Sequence, residues 1–322
     1  MSQARYSVHA NNLGAPSPFW SPTLEHRHNA GTLGRRRRRS DVRHEITATW
    51  DWIVEVARTG GLSPALCDKA SESLPLSPTI MGTSTKVEKG SQGYTVAVVY
   101  LAGARMWRLL CQDSTPACRA ACLGHTTGHL AMDNGGRKPQ AWKTALLVGA
   151  PDLFRELIRF ELTALGARAS RSGTIGALRV DGSSDSGLAR ELVDDAARAG
   201  VQLWDYTKSI GRAQAALGTP WSVTLSYPGG DTPWEPYRGH IMDGGLVAVV
   251  ADIPKGTPVP DRWNGFRTVD GDTSDLRFLD KPGTVVVLRL KGHNRAKAAA
   301  RAGGFVAYKL EPTGPGSYGS AP

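Results

Sequence analysis

Short apolar runs alternate with amphipathic stretches from residue 95 onward, and this alternation is the feature that most constrains the fold. The strand-like runs are residues 95–101, 175–180, 201–205, 222–227, 246–253 and 284–290. The helix-like stretches are residues 152–165, 187–199, 209–217 and 294–302. Because buried strands joined by helices form parallel sheets, the sequence predicts an α/β fold with a parallel sheet and helical crossovers. An open doubly wound sheet and a partial or full (β/α) barrel both fit this order of elements.

The two ends of the chain differ from this patterned region. Residues 1–45 are rich in Ser, Pro, Asn, His, Gly and Arg without an apolar period, so we expect a disordered basic arm. Residues 46–80 contain one short helix-like stretch among glycines and prolines, and we expect an irregular linker there. The predicted α/β domain spans residues 81–310, followed by a flexible tail over residues 311–322. Met81 opens the segment that precedes the first predicted strand and is a candidate translation start.

The net charge of +10 is concentrated at the ends of the chain. Residues 46–280 are almost electroneutral, with 24 basic and 25 acidic side chains, whereas residues 281–310 have seven basic side chains and no acidic one. No apolar run reaches the roughly 18 residues of a membrane-spanning helix. The arginines at 35–39 do not lead into the apolar segment of a signal peptide. We therefore expect a cytoplasmic protein without a membrane segment.

Three of the four cysteines, Cys111, Cys118 and Cys122, lie within twelve residues after the first predicted strand. Four cysteines are too few for a disulfide scaffold of this size, and in a reducing compartment such a group indicates metal binding or catalysis. Thiolates are ligands for iron–sulfur clusters and for zinc. Three cysteines on one loop would hold three corners of a 4Fe-4S cluster and leave one iron open.

Two other interpretations of this segment remain open. The first is a zinc site formed by Cys118, Cys122, His125 and His129. Their spacings of four, three and four residues would place them on one helical face as a tetrahedral set, although Gly124 and Gly128 weaken a helix there. The second is that the cysteines are small core residues and the histidines contact solvent.

Polar residues follow the predicted strands at the ends where parallel α/β folds bind their ligands. The catalytic candidates are Asp181, Asp185, Tyr206 and Lys208, and the cofactor-binding candidates are Ser183, Ser226 and Tyr227. Lys208 is suited to binding an anion or to acid–base chemistry, because burial brings the pKa of a lysine nearer to neutrality. The same residue types also cap helices and turns, so each has a structural role as its alternative.

Two charged groups near the C-terminus are further candidates. The acidic residues Asp270, Asp272, Asp275 and Asp280 would share Mg²⁺ or Ca²⁺, or would pair with Arg277. The dipeptide Asp270-Gly271 between apolar runs also predicts a hairpin turn. The basic side chains of residues 281–309 are candidates for contacts with nucleic-acid phosphates, although no helix-turn-helix or aromatic stacking motif accompanies them.

Several short motifs occur in a characteristic order. They are the cysteine segment after the first strand, RVDGSSD at 179–185, DYTKS at 205–209, LSY at 225–227, DGD at 270–272, DLRFLD at 275–280 and LKG at 290–292. Over residues 81–306 this ordered set resembles the bacteriophage gene product 88 family of phage and prophage proteins. The resemblance implies a bacterial host cell, a cysteine-rich loop and a fold similar to the partial barrel of radical S-adenosylmethionine enzymes. It also favours the iron–sulfur interpretation over zinc.

The cysteine motif departs from that of standard radical enzymes. Its spacing is C-x6-C-x3-C in place of C-x3-C-x2-C, and Leu123 stands where an aromatic residue is common. The motif Gly-Gly-Glu is also missing, and Gly229-Gly230-Asp231 follows a different strand. We therefore predict a phage-type α/β protein that binds a 4Fe-4S cluster, with S-adenosylmethionine chemistry as an extension. The alternative is a non-catalytic nucleic-acid-binding protein with the Cys/His zinc site, acting in phage replication or regulation.

Overall fold

A computed structural model describes residues 37–122, 130, 132 and 137–309. The strands are β1 (Met81–Gly82), β2 (Tyr94–Val99), β3 (Ile175–Arg179), β4 (Val201–Thr207), β5 (Trp221–Ser226), β6 (Leu246–Asp252), β7 (Arg262–Trp263), β8 (Phe266–Asp270), β9 (Val285–Arg289) and β10 (Tyr308–Lys309). The helices are α1 (Arg39–Ala48), α2 (Trp50–Thr59), α3 (Pro64–Ser71), α4 (Thr85–Glu88), α5 (Pro116–Ala120), α6 (Lys138–Gly149), α7 (Pro151–Arg171), α8 (Ala189–Ala199), α9 (Ile210–Ala216), α10 (Glu235–Met242) and α11 (Asn294–Ala302).

The strands form one mostly parallel sheet in the order β1-β2-β3-β4-β5-β6-β9-β8-β7, and β10 pairs with the end of β6. Strands β2 to β6 lie in chain order with their crossover helices between them, as in a (β/α) barrel. Only β1 and β7 pair antiparallel with their neighbours among the described residues. The sheet is not closed, because β1 and β7 lie at opposite edges. The predicted α/β fold with a parallel sheet is therefore confirmed, in an open form.

The two faces of the sheet have different partners, because successive side chains of a strand point to opposite sides. One face carries Val99, Leu178, Leu203, Val223, Val249 and Val287 into the main core, which also contains apolar residues of α7, α8 and α10. The other face carries Val96, Val98, Ala177 and Trp204, which pack against Leu276. The rings of Tyr94 and Trp204 meet Phe278 edge to face, with centroids 5.2 and 5.6 Å apart. Both faces of the central strands are thus buried.

The crossover helices agree with the predicted stretches. The helix predicted over residues 152–165 is the first part of α7, which has Pro151 in its first turn. Gly200 ends α8 in the left-handed conformation, with φ 64°, and β4 begins at the next residue. Gly166 allows α7 to approach the end of α8, because a Cβ at that position would lie 1.8 Å from the carbonyl oxygen of Ala199. No helix in the described ranges has the length and apolar character needed to cross a membrane.

The segment before β1 differs from the sequence expectation. The sequence predicts an arm up to residue 45 and an irregular linker over residues 46–80, but residues 39–71 form the three helices α1, α2 and α3. Ile46, Ile53 and Cys67 are fully buried in the same core as α6. The glycines and prolines lie at the helix ends, since Gly60 is the C-cap of α2 and Pro64 is in the first turn of α3. Residues 1–36 of the expected arm and the tail over 311–322 lie outside the described residues.

Candidate functional site

A cavity of about 220 Å³ lies at the carboxyl ends of the parallel strands. It is lined by Cys111, Cys118, Cys122, Asp181, Ser183, Asp185, Tyr206, Lys208, Ser226 and Tyr227, among others. These residues come from the segments that follow β2, β3, β4 and β5 or from the last residues of those strands. The structure therefore brings together the site residues that the sequence predicts, with the exception of His125 and His129, which lie outside the described residues. The chemical roles of the residues that line the cavity stay a prediction.

The cysteine wall is formed by a short helical segment and its flanks. Cys111 ends a 3-10 turn, and Cys118 lies in α5, where its backbone N–H donates to the N-cap hydroxyl of Thr115 over 3.2 Å. Cys111 and Cys122 are buried, and Cys118 is half-buried. Burial raises the pKa of the Cys111 thiol, and the nearby carboxylates of Asp185 and Asp181 raise it further. Cys111 is therefore a neutral thiol in this environment.

The fourth cysteine does not border this cavity. Cys67 lies on α3 in the helical layer, fully buried, with its Sγ 3.7 Å from the carbonyl oxygen of Leu62. Among the described residues, no group of three or more His, Cys, Asp or Glu side chains is placed to hold a single metal ion. Half of the predicted zinc set, His125 and His129, lies outside those residues, so the zinc interpretation stays a prediction.

The carboxylate of Asp181 organises the loop between β3 and α8. It accepts hydrogen bonds from the hydroxyls of Ser184 and Ser186 and from the backbone N–H of Ser186 and Gly187, at 3.0 and 3.3 Å for the two backbone donors. Burial raises the pKa of Asp181 in spite of these bonds. Because its oxygens are used by the loop, Asp181 shapes the cavity wall.

Asp185 connects three segments of the wall. Its carboxylate accepts from the hydroxyl of Thr207 at 2.8 Å and from the backbone N–H of Lys208 at 2.9 Å, and it pairs with Arg212 at 2.9 Å. Its own backbone N–H donates to the carbonyl oxygen of Leu110 over 3.0 Å. Asp185 thereby holds the end of β4 and the cysteine segment against the loop after β3.

Lys208 places a positive charge beside the thiols. Its ammonium lies within hydrogen-bonding reach of Cys118 and 5.9 Å from the ring centroid of Phe305. Burial alone would lower the pKa of Lys208, but the neighbouring Cys118 and the carboxylate of Asp185 outweigh it and raise the pKa. Lys208 is therefore a fixed cation in the cavity, which differs from the lowered pKa that the sequence suggested for a buried lysine.

Tyr206 and Arg179 form the part of the wall nearest the centre of the sheet. The guanidinium carbon of Arg179 lies 4.8 Å from the ring centroid of Tyr206. The Tyr206 hydroxyl is buried and has no hydrogen-bond partner among the described residues, and burial raises its pKa. This hydroxyl is thus a neutral, buried group, and its charged neighbours are Asp275, Arg277, Arg179 and Asp280.

The three predicted cofactor-binding residues border the cavity in different ways. The Ser183 hydroxyl donates to the carbonyl oxygen of Leu101 over 2.6 Å and accepts from Gln140. The Tyr227 hydroxyl donates to the carbonyl oxygen of Thr232 over 2.8 Å, and its ring packs among other aromatic rings. Ser226 ends β5 at the cavity rim.

The acidic group near the C-terminus is split into separate ion pairs. Asp275 pairs with Arg179 at 2.9 Å, and Asp280 pairs with Arg277 at 3.0 Å. Asp270 lies 2.7 Å from Arg289, and Asp272 binds both Arg289 and Lys291. In the described part of the chain these carboxylates form no metal group.

The hairpin predicted at Asp270-Gly271 is wrong. Strands β8 and β9 run parallel, so the chain must cross over between them. Gly271 is needed for a different reason, because a Cβ there would lie 2.6 Å from Leu288.

Several cavity residues were not among the sequence candidates, and they include Arg179, Leu290 and Phe305. Arg289 and Lys291 also line the cavity, but the sequence predicted them only as contacts to phosphate. Arg179 had a usable signal, since it stands two residues before Asp181 and alternation along a strand places both on the same face. Phe305 had no such sequence signal, because it follows α11 in an irregular segment.

Together, the fold and cavity define an α/β protein whose candidate site lies at the carboxyl ends of parallel strands, with three thiols on one wall. The chain belongs to the gene product 88 family of phage proteins, because a family model described as Gene product 88 matches residues 79–307. The resemblance in the ordered motifs is thereby confirmed at the level of the family. No curated protein and no solved structure matches the chain.

Proposed function

We propose that the cavity binds an iron–sulfur cluster through Cys111, Cys118 and Cys122, next to a small ligand such as S-adenosylmethionine. The observation that carries this proposal is that all three thiols line one cavity at the ligand-binding edge of the sheet. If the cysteines were only small core residues, we would expect them to pack against apolar side chains and not to line a cavity with polar ones.

The donor set fits a cluster better than a single ion. Each cysteine of a cubane cluster binds a different iron, so the three thiols need not converge on one point. Cys67 lies away from the cavity, in the helical layer, and leaves no fourth cysteine to complete the set. Three cysteine ligands leave one position for an exchangeable ligand.

The cation beside the thiols supports the proposal by opposing an unfavourable step. Metal binding must displace the proton of Cys111, whose pKa is raised by burial. The Lys208 ammonium beside Cys118 would offset the negative charge of a bound cluster. When bound, a cluster of this kind supplies an electron and an open iron for reductive cleavage of S-adenosylmethionine.

The other predicted residues are proposed to have different roles. Lys208 and Ser226 border the cavity and would orient a ligand, and Tyr206 would form part of its wall. Asp181 and Asp185 hold the loop after β3 in place, so we assign them as positioning residues. We place this activity in the reducing cytoplasm of a bacterial host, because all four cysteines are free thiols.

The test is anaerobic reconstitution of the full chain with ferrous iron and sulfide. We expect broad absorption at the violet end of the visible spectrum and about four iron and four sulfide per chain. Cys118→Ala should lose most of this absorption and iron. The matched control is Cys67→Ala, which removes a cysteine that does not border the cavity.

Equal loss of iron in the two variants would contradict the proposal, as would a colourless protein with one tightly bound zinc. Far-ultraviolet circular dichroism of each variant identifies loss of iron that results from misfolding. Retention of the cluster in Cys118→Ala with native circular dichroism would also reject Cys118 as a ligand.

A further inference from the structure

A second and larger cleft adjoins the cysteine cavity. It has a volume of about 1340 Å³ and shares Arg289, Leu290 and Lys291 with the smaller cavity. Its walls include the ends of β6, β8 and β9, so it opens at the same edge of the sheet. Its charged lining residues are Lys89, Lys255, Arg289, Lys291, Lys297 and Arg301 with Asp252, Asp270 and Asp272.

All three carboxylates of the cleft are already paired. Arg301 holds Asp252 with two bonds of 2.6 and 3.0 Å. Asp270 pairs with Arg289 at 2.7 Å, and Asp272 pairs with both Arg289 and Lys291. The acidic side chains therefore fix three of the cations in place.

The remaining three lysines give the cleft its excess positive charge. Lys255 and Lys297 have no ion-pair partner within the described part of the chain. Lys89 donates to the backbone carbonyl oxygen of Asp272, which does not cancel its charge. These lysines come from three distant segments of sequence, and the fold brings them to one concave surface.

The size and lining of the cleft indicate an extended anion. Small-molecule sites usually measure about 300–1,000 Å³, which is less than the volume here. Lysine ammonium and Ser or Thr hydroxyl groups are common donors to phosphate oxygens. Four such hydroxyl residues line the cleft, namely Thr85, Thr257, Thr273 and Ser274.

We propose that this cleft binds the phosphodiester backbone of a single-stranded nucleic acid. Single strands are held in positively charged channels that follow the backbone, whereas duplexes are read by elements that protrude into a groove. The proposal goes beyond the cluster, because the three lysines do not border the cysteine cavity. The shared residues 289–291 would bring one part of a bound strand next to that cavity.

The cleft also corrects the position of the basic surface that the sequence suggested. Of the basic residues in 281–309, Arg289, Lys291, Lys297 and Arg301 line it. Lys281 is exposed and precedes β9, so it lies at the amino ends of the parallel strands, away from the cleft. Lys89 and Lys255, from outside that stretch, complete the surface.

The experiment measures fluorescence anisotropy of a labelled oligothymidylate of about twelve nucleotides, within the site sizes of single-strand binders. The full chain is titrated at several salt concentrations. The test variant is the triple change Lys89→Gln, Lys255→Gln and Lys297→Gln. The matched control removes three exposed charges near the amino ends of the parallel strands. It is the triple change Lys281→Gln, Arg168→Gln and Arg171→Gln.

We expect the test variant to bind at least about tenfold more weakly at 0.1 M salt, and the slope of log K against log salt to fall in magnitude by about 2, since each phosphate contact contributes about 0.7. The control variant should bind like the parent chain. Equal weakening of both variants, or no weakening of the test variant, overturns the proposal.

Competition separates the possible sources of the anion. Unlabelled oligothymidylate should displace the probe, and tripolyphosphate at the same phosphate concentration should not. Displacement by tripolyphosphate would reject a strand in favour of free phosphate, and equal displacement by polyglutamate would reject phosphate recognition. Cys118→Ala should bind the strand like the parent chain, so this experiment tests strand binding independently of the cluster proposal.

Discussion

Arg179 and Asp275 lie 96 residues apart in the chain, and their side chains form an ion pair of 2.9 Å. Asp275 is completely buried, and Arg179 is 9% exposed at the wall of the cysteine cavity. The pair joins β3 to the crossover between β8 and β9. It also fixes the guanidinium over the ring of Tyr206. One carboxylate therefore determines how two cavity side chains are placed.

Replacing Asp275 with Asn should destabilise the protein by about 3–5 kcal/mol, because removing one partner leaves a buried charge without compensation. Chemical denaturation followed by tryptophan fluorescence measures this free energy of unfolding. The control Asp152→Asn affects an exposed pair with Arg155 and should change stability by about 1 kcal/mol or less. A loss at Asp275 no larger than that of the control would show that Arg179 is stable without its partner.

The sequence predicted the sheet well, because valine-rich runs and helix ends are local signals. Gly200 and Pro151 mark their helix ends as expected. Ion-pair partners carry no such signal. Asp270, Asp272, Asp275 and Asp280 stand close together in the chain, yet they bind cations on β3, on β9 or near it, and on the crossover itself. Which carboxylate meets which cation depends on strand order, which local pattern does not contain.

The cavity was predictable for a related reason, and the basic cleft was predictable only in part. Parallel strands bring their carboxyl ends to one edge, so residues just after each strand share a location whatever their separation in sequence. Lys89 precedes β2, and Lys255 lies after β6 in a connecting segment. The position of Lys89 does not follow from this rule. Lys255 does follow a strand, but no basic neighbour in the sequence marks it.

The N-terminal helices meet the rest of the protein at a close contact between α2 and α6. A Cβ at Gly149 would lie 2.1 Å from the carbonyl oxygen of Ile53. We expect Gly149→Ala to destabilise the protein by about 1–3 kcal/mol, because the helices would have to separate. Gly239→Ala, at a helical glycine of α10 with no neighbour within 4 Å, should be neutral or stabilising by up to about 1 kcal/mol. Thermal denaturation of both variants checks the contrast, and equal melting temperatures would contradict it.

A chain that begins at Met81 should fold poorly, since it lacks the helices that cover α6. Trp50, Ile53 and Leu66 are buried in the common core, and each contributes about 1.5–3 kcal/mol on burial. Glu161 would also lose Arg39, which it binds at 3.0 Å. A chain that begins at Arg37 retains these contacts and should match the full chain in denaturant midpoint. Equal midpoints for the Met81 and Arg37 chains would show that the three helices contribute nothing to stability.

Lys143 gives stability a dependence on pH. The side chain is buried on α6, and burial lowers its pKa to about 8, with Glu161 opposing the shift. The folded state disfavours the charged form, so Lys143 reduces stability most below pH 8, and this cost disappears as pH rises toward the unfolded pKa of about 10.4. Lys143→Met should therefore stabilise the protein by about 3 kcal/mol at pH 7 and by much less at pH 10. Lys138→Met, at a half-buried position on the same helix, is the control. A gain that does not change with pH would argue for packing alone.

Lys208 should tune the electron affinity of the proposed cluster. Its ammonium lies beside Cys118, and a nearby positive charge stabilises the extra electron of the reduced form. In reconstituted protein of equal iron content, Lys208→Gln should make the reduction potential more negative, whereas Lys208→Arg should keep it close to that of the parent. Lys297→Gln removes a charge from the adjoining cleft, does not border the cysteine cavity and should have a smaller effect. A redox titration followed by absorption measures the shift. The same potential in Lys208→Gln and the parent chain would mean that the cluster is not bound beside this lysine.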